Sequence, residues 1–143
     1  MVPKMQDLKG HVILCGYGLV GEKIAEILQE HDMNFIVIEM DKFKADMLRE
    51  KGMNVVLGDA TSSKALKEAG IEKAKAIAIA MDDDAKNLFT VITARSLNKK
   101  IFIATRANDE LLRNKLKEAG AGFVATPNRS ASDELFRELM KGA

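Results

Sequence analysis

The chain has 143 residues, with 22 Lys and Arg against 21 Asp and Glu and a formal net charge of +1. That length suits one domain burying roughly 70% of its unfolded surface, and the interspersed signs provide no basic field for nucleic acid. One Cys excludes an internal disulfide, no apolar run nears the roughly 20 residues of a membrane span or has the form of a secretory signal, and catalytic side chains are few, with no Trp, one Tyr and two His.

In chain order, Val12 to Cys15 is an apolar run followed by glycines and then by Val20, Ile24, Ile27 and Leu28 at helical spacing. The pattern predicts a strand, a tight turn and a helix. Phe35 to Ile38, Asn54 to Leu57, Ala76 to Ala80, Ile101 to Thr105 and Gly122 to Ala125 predict five more strands. Each run is almost continuously apolar, the pattern of a parallel sheet covered on both faces. Three helices close on near copies of one phrase, Leu48 to Gly52, Leu66 to Gly70 and Leu116 to Gly120. The final glycine of each takes the left-handed conformation and turns the chain toward the next strand. Their irregular spacing argues against a solenoid.

Six strands alternating with helices through right-handed crossovers predict a Rossmann-like, doubly wound α/β fold with a parallel sheet of order 3-2-1-4-5-6. Its ligand crevice is expected at the carboxyl ends of the strands. From about Ser130 a last helix aligns Ala131, Leu135, Phe136, Leu139 and Met140 along one side. Such a stripe either covers the sheet or pairs with a second copy, and pairing is the expectation.

The first turn, Gly16-Tyr17-Gly18-Leu19-Val20-Gly21, has the dinucleotide spacing. The first glycine permits the turn, the second lets backbone approach phosphate, and the third lets helix pack on strand. An anion would rest on the helix N-terminus without a charged side chain. Glu39 ends the second strand 18 residues after Gly21, where an acid accepts from the ribose hydroxyls and disfavours a 2′-phosphate. Asp41 reads as the cap of the following helix. Gly58, Asp59, Ala60 and Thr61 follow the third strand, and Asp59 either accepts from an adenine amino group or serves as a turn and helix cap. Residues 1–10 then read as a linker or N-terminal extension, 11–127 as a nucleotide-binding domain and 128–143 as a C-terminal helix.

Other constellations have plainer readings. Asp82, Asp83 and Asp84 suit a divalent cation, yet they stand where a helix begins and acids complement its dipole; the helix start is preferred. Asn87 reads as structural. His11 and His31 show no ligand spacing with Cys15 or with each other, so no metal site is expected. Cys15 reads as a buried thiol.

The segments His11–Gly21, Val37–Asp41, Gly58–Thr61, Met81–Asp84 with Asn87, Ile103–Ala107 and Ala119–Pro127 together resemble the RCK or KTN (TrkA-N type) nucleotide-binding domains that regulate potassium channels and transporters. The resemblance covers nearly the whole chain and is carried by the order and spacing of the motifs. It implies a cytoplasmic domain at the inner face of the membrane that binds NAD(H) or an adenosine nucleotide (AMP, ADP or ATP). It further implies a homodimer or ring that signals to a channel pore or transporter subunit. It strengthens the adenine role of Asp59. Many members of the family carry Arg where this chain has Leu19, which argues against a tightly held triphosphate. Arg106 is the alternative source of phosphate charge, with a surface ion pair as its plain reading. Calcium-gated relatives place acids where this chain has Thr105 and Ala107, so that calcium site is not expected. The family often continues into a further subdomain, and residues 5–10 resemble the linker after a pore segment, so the chain is expected to be an excised or internally initiated part.

Two other functions compete with the sensing module. A small NAD-dependent oxidoreductase needs a general acid or base near the nicotinamide, but the one Tyr lies in the glycine loop and neither His follows a strand. A purely structural assembly domain has no need of Glu39 or of the complete glycine pattern. A non-enzymatic sensor is the expectation.

Overall fold

The computed structural model describes residues 4–143. The order is β1 (Val12–Cys15), α1 (Leu19–Glu30), β2 (Phe35–Glu39), α2 (Lys42–Glu50), β3 (Asn54–Leu57), α3 (Ser63–Glu68), β4 (Ala76–Ile79), α4 (Asp84–Leu97), β5 (Phe102–Arg106), α5 (Arg113–Ala119), β6 (Phe123–Ala125) and α6 (Pro127–Gly142). Short 3-10 turns lie at Met5–Asp7 and Glu110–Leu112. The six strands form one sheet in the order β3-β2-β1-β4-β5-β6, and every neighbouring pair is parallel. Fold class and strand order are therefore those expected from the sequence.

Alternation along each strand splits the core into two layers. Ile13, Cys15, Ile36, Ile38, Ile77 and Ile103 pack with Leu66 of α3, Val91 and Ala94 of α4 and Leu116 of α5. Val12, Leu14, Phe35 and Val37 pack on the opposite face with Ala25 of α1 and Ala45 and Leu48 of α2. His11, buried at the start of β1, bonds through Nε2 to the Ala69 carbonyl at 2.8 Å, tying that strand to the end of α3.

Each of the three repeated phrases ends on a glycine with positive φ: Gly52 at 84°, Gly70 at 72° and Gly120 at 122°. A side chain in that region is strained, which is why one stop serves three helices.

Three expectations require correction. The sheet is not covered on both faces throughout: Phe102 and Phe123, on the face of β5 and β6 opposite Ile103 and Val124, are more than half exposed, because α4 and α5 both lie on the other side. The last helix begins at Pro127 rather than near Ser130, since proline fits a first helical turn whose N–H needs no partner. The fifth strand runs Phe102–Arg106 rather than from Ile101 to Thr105, carrying Arg106 to the sheet edge. Of residues 1–10, expected as a linker or N-terminal extension, the first three lie outside the described residues; of the rest, Leu8 is buried and Met5 packs against the core. Among the described residues no helix is long and apolar enough to cross a membrane.

Candidate functional site

The ends of β1 to β5 enclose a cavity of about 640 Å³. Its floor is the β1–α1 turn. Gly16 has φ 93°, and a Cβ there would stand 2.9 Å from Cγ of Met81, so both its conformation and its neighbour require glycine. Gly18, the N-cap of α1, supplies no side-chain hydrogen bond, whereas α2, α3 and α4 are capped by Asp41, Ser62 and Asp83. A Cβ on Gly18 would meet nothing within 4 Å. Gly18, Leu19 and Val20, which open α1, line the cavity, and a helix start without a side-chain cap is a site that accepts an anion. Gly21 is buried behind this floor, where a side chain would overlap the Gly16 carbonyl oxygen.

Gly16, Tyr17, Gly18, Leu19 and Val20 line the cavity, as do Glu39, Asp59, Ala60 and Arg106. Gly21 and Thr61, the remaining two residues expected at the site, stand behind its wall: the former spaces helix from strand, and the latter shapes a turn. Thr61 donates to Asp59 Oδ1 through its backbone N–H at 2.9 Å and its hydroxyl at 2.7 Å. The backbone bond, then the hydroxyl, hold the Asp59 carboxyl below its ordinary range, with the charge of Lys86 adding to the effect. Asp59 is therefore a turn acid and a cavity acid at once; the cap of α3 is Ser62.

Glu39 is half-buried at the end of β2, and its Oε2 accepts from Asp41 N–H at 2.8 Å. Asp41 in turn caps α2 through Phe43 and Lys44 N–H, at 2.8 and 3.3 Å. This holds the carboxylate at the end of β2, beside the cavity that Glu39 lines. Tyr17 packs into the apolar layer beside α1 and α2, and burial, followed by Glu22 and Glu26, raises its phenol above the ordinary range. Burial likewise pushes the Cys15 thiol far up, which keeps it protonated and inert.

The three acids after β4 diverge. Asp83 caps α4 at Lys86 N–H, 3.0 Å away. Asp84 accepts from the N–H groups of Asn108 and Asp109 at 2.7 and 2.9 Å. Asp82 pairs with Arg106 at 3.2 Å. Among the described residues no group of three or more His, Cys, Asp or Glu is arranged to hold a metal ion. Asn87, fully buried, bonds Met81 N–H and carbonyl and the Arg106 carbonyl at 3.1, 2.9 and 3.0 Å, locking β4 to β5 below the cavity.

Sequence reasoning missed Met40, Lys44, Met81 and Lys86, which also line the cavity. Met40 was in reach, since it follows Glu39 directly. The two lysines sit in the first turns of α2 and α4, and only the sheet order brings those two helix starts to one crevice.

The TrkA-N domain family matches residues 12–127. The chain is similar to potassium channel protein 1 of Methanocaldococcus jannaschii, at 36% identity over 96% of this chain and 42% of that protein. It is also similar to the chloroplastic K(+) efflux antiporter 2 of Arabidopsis thaliana, at 31% identity over 96% of this chain and 12% of that protein. The chain thus spans less than half the length of these relatives. Among solved structures, the TrkA-N domain of inner membrane protein ybaL from Escherichia coli superposes with a TM-score of 0.90 at 31% identity, over 93% of this chain and 98% of that one. The GsuK channel bound to NAD superposes at 0.77 and 25% identity, over 85% and 22%, and GsuK bound to ADP at 0.76 and 25% identity, over 84% and 32%. With 116 of its 143 residues inside the family match and the glycine turn at the expected place, the chain belongs to the TrkA-N family of RCK-type domains.

Proposed function

We propose that this chain is the ligand-sensing part of a potassium channel or transporter, working at the cytoplasmic face of the membrane. It holds NAD(H) or an adenosine nucleotide, AMP, ADP or ATP, in the crevice. Its bound state passes through a dimer or ring to a membrane partner, which requires the ligand to bind two arrangements with different affinity. The observation that carries the reading is the uncapped N-terminus of α1 and the Glu39 carboxylate facing one cavity. The NAD-bound and ADP-bound GsuK structures and the potassium channel relative support it. In this reading the phosphates rest on the α1 N-terminus near Arg106, the ribose on Glu39 and the adenine beside Asp59.

No catalytic residue is assigned. Chemistry on a nicotinamide needs a positioned proton donor or acceptor, whereas Tyr17 packs into the core layer, His11 lies at the start of β1 and His31 at the end of α1. The partner surface is assigned to a second copy of the chain. Leu135, Phe136, Leu139 and Met140 on α6 are all more than half exposed, as are Phe102 and Phe123 on the bare strand face. An α6 from a second copy covering that face would remove both apolar surfaces from water.

The test is calorimetric titration of the chain with NADH, NAD, AMP, ADP, ATP and NADP at one ionic strength, with light scattering to follow its mass. Saturable binding of an adenosine ligand, with NADP weaker, is expected. No binding by a folded sample overturns the reading in favour of an assembly domain.

A further inference from the structure

We propose that Asp82 is an exchangeable counter-ion of Arg106: an anionic group on the ligand replaces it, and the site is thereby graded by the ligand's negative charge. The proposal rests on the nucleotide reading and adds to it a specificity-determining residue.

The two partners are held very differently. Arg106 ends β5 with its side chain only 20% exposed. Its Nε donates to Asn108 Oδ1 at 3.0 Å and its carbonyl accepts from Asn87 Nδ2 at 3.0 Å. The guanidinium is therefore fixed at the cavity wall. Asp82 is 84% exposed. One oxygen, Oδ1, accepts both from Arg106 Nη2 at 3.2 Å and from Asn108 Nδ2 at 3.0 Å. A carboxylate already so hydrated leaves an ion pair at small cost, because water replaces what the pair supplied. Arg106 has no comparable route into solvent, so loss of Asp82 without a replacement anion is the less favourable state.

Among the described residues, Asp82 bonds besides Arg106 only to Asn108 Nδ2. The α4 N-terminus is capped by Asp83, and the turn after β5 is held by Asp84 through two backbone N–H groups. Three consecutive acids thus divide the work: two are structural, and the third, itself exposed, faces the arginine. The cavity wall carries three basic and four acidic side chains. With Asp82 in place a heavily charged ligand meets net repulsion, and a ligand of lower charge is favoured.

The experiment compares the wild-type chain with Asp82→Asn, Arg106→Gln and the double variant, each checked by thermal unfolding, in titrations with ADP and with the less charged NAD. Asp82→Asn is expected to tighten ADP by about three- to fivefold, the size of a partly exposed ion pair, and NAD by less. The gain should shrink as salt is added and vanish in the Arg106→Gln background. An unchanged ADP-to-NAD ratio in Asp82→Asn, or a gain that persists without Arg106, overturns the proposal while the nucleotide reading stands. Failure of the wild-type chain to bind either ligand overturns both.

Discussion

The Cβ of any side chain at position 21 would fall on the carbonyl oxygen of Gly16. The two glycines therefore set the approach of α1 to the end of β1, and with it the shape of the cavity floor. Gly21→Ala is expected to destabilise the fold by about 1–3 kcal/mol, since forced backbone shifts outweigh the roughly 1 kcal/mol of helix propensity that alanine returns. Gly18→Ala meets nothing within 4 Å; it should leave the unfolding temperature nearly unchanged while weakening nucleotide binding. Thermal unfolding and titration of both variants separate the packing glycine from the phosphate glycine.

Asn87 is the most heavily bonded buried side chain near the site, with two bonds to Met81 just after β4, one to Arg106 of β5 and no exposure. Replacement by Ala leaves the Met81 N–H and two carbonyls without it, at a cost of about 2–4 kcal/mol. Chemical denaturation should show a lowered midpoint with an unchanged slope. A loss well below 1 kcal/mol would mean that water replaces all three bonds.

Glu39→Ala is expected to weaken NADH and AMP about tenfold, the worth of one or two ribose hydrogen bonds. The relative penalty against NADP should fall, because the acid that opposes a 2′-phosphate is gone. Stability should change little at this half-exposed position. Unaltered affinity would restrict Glu39 to its bond with Asp41 N–H.

The exposed stripe of α6 and the bare face of β5 and β6 are expected to meet in a dimer. Leu139→Glu combined with Phe136→Glu on the helix, or Phe102→Lys on the strand, should each halve the mass seen by light scattering, because a charge buried at an apolar contact lacks a partner. The circular dichroism spectrum should remain that of a folded α/β domain. A wild-type mass equal to one chain removes this assignment.

The fold was legible because its signals are local. Apolar runs of strand length, glycines where φ must be positive and a capping acid such as Asp41 act within a few residues. The glycine turn and Glu39 were legible for the same reason, since their spacing follows from one strand–helix–strand unit. Lys44 and Lys86 were not, because a lysine in the first turn of a helix has the same local pattern whether or not that turn faces a crevice. The coverage of the sheet was misjudged at Phe102 and Phe123, whose apolar character is that of a covered strand even where no helix of the same chain lies over them.

By itself the sequence determined the six strands, their order and the turn that opens α1, because backbone sterics and periodicity act over short spans. Only the tertiary structure decided that Asp82, Asp83 and Asp84 take separate partners and that Asp82 pairs at the cavity wall with Arg106, 24 residues away. The ends of β4 and β5 become neighbours only when the parallel sheet forms, and charges so far apart in the chain carry no mark of each other before it does.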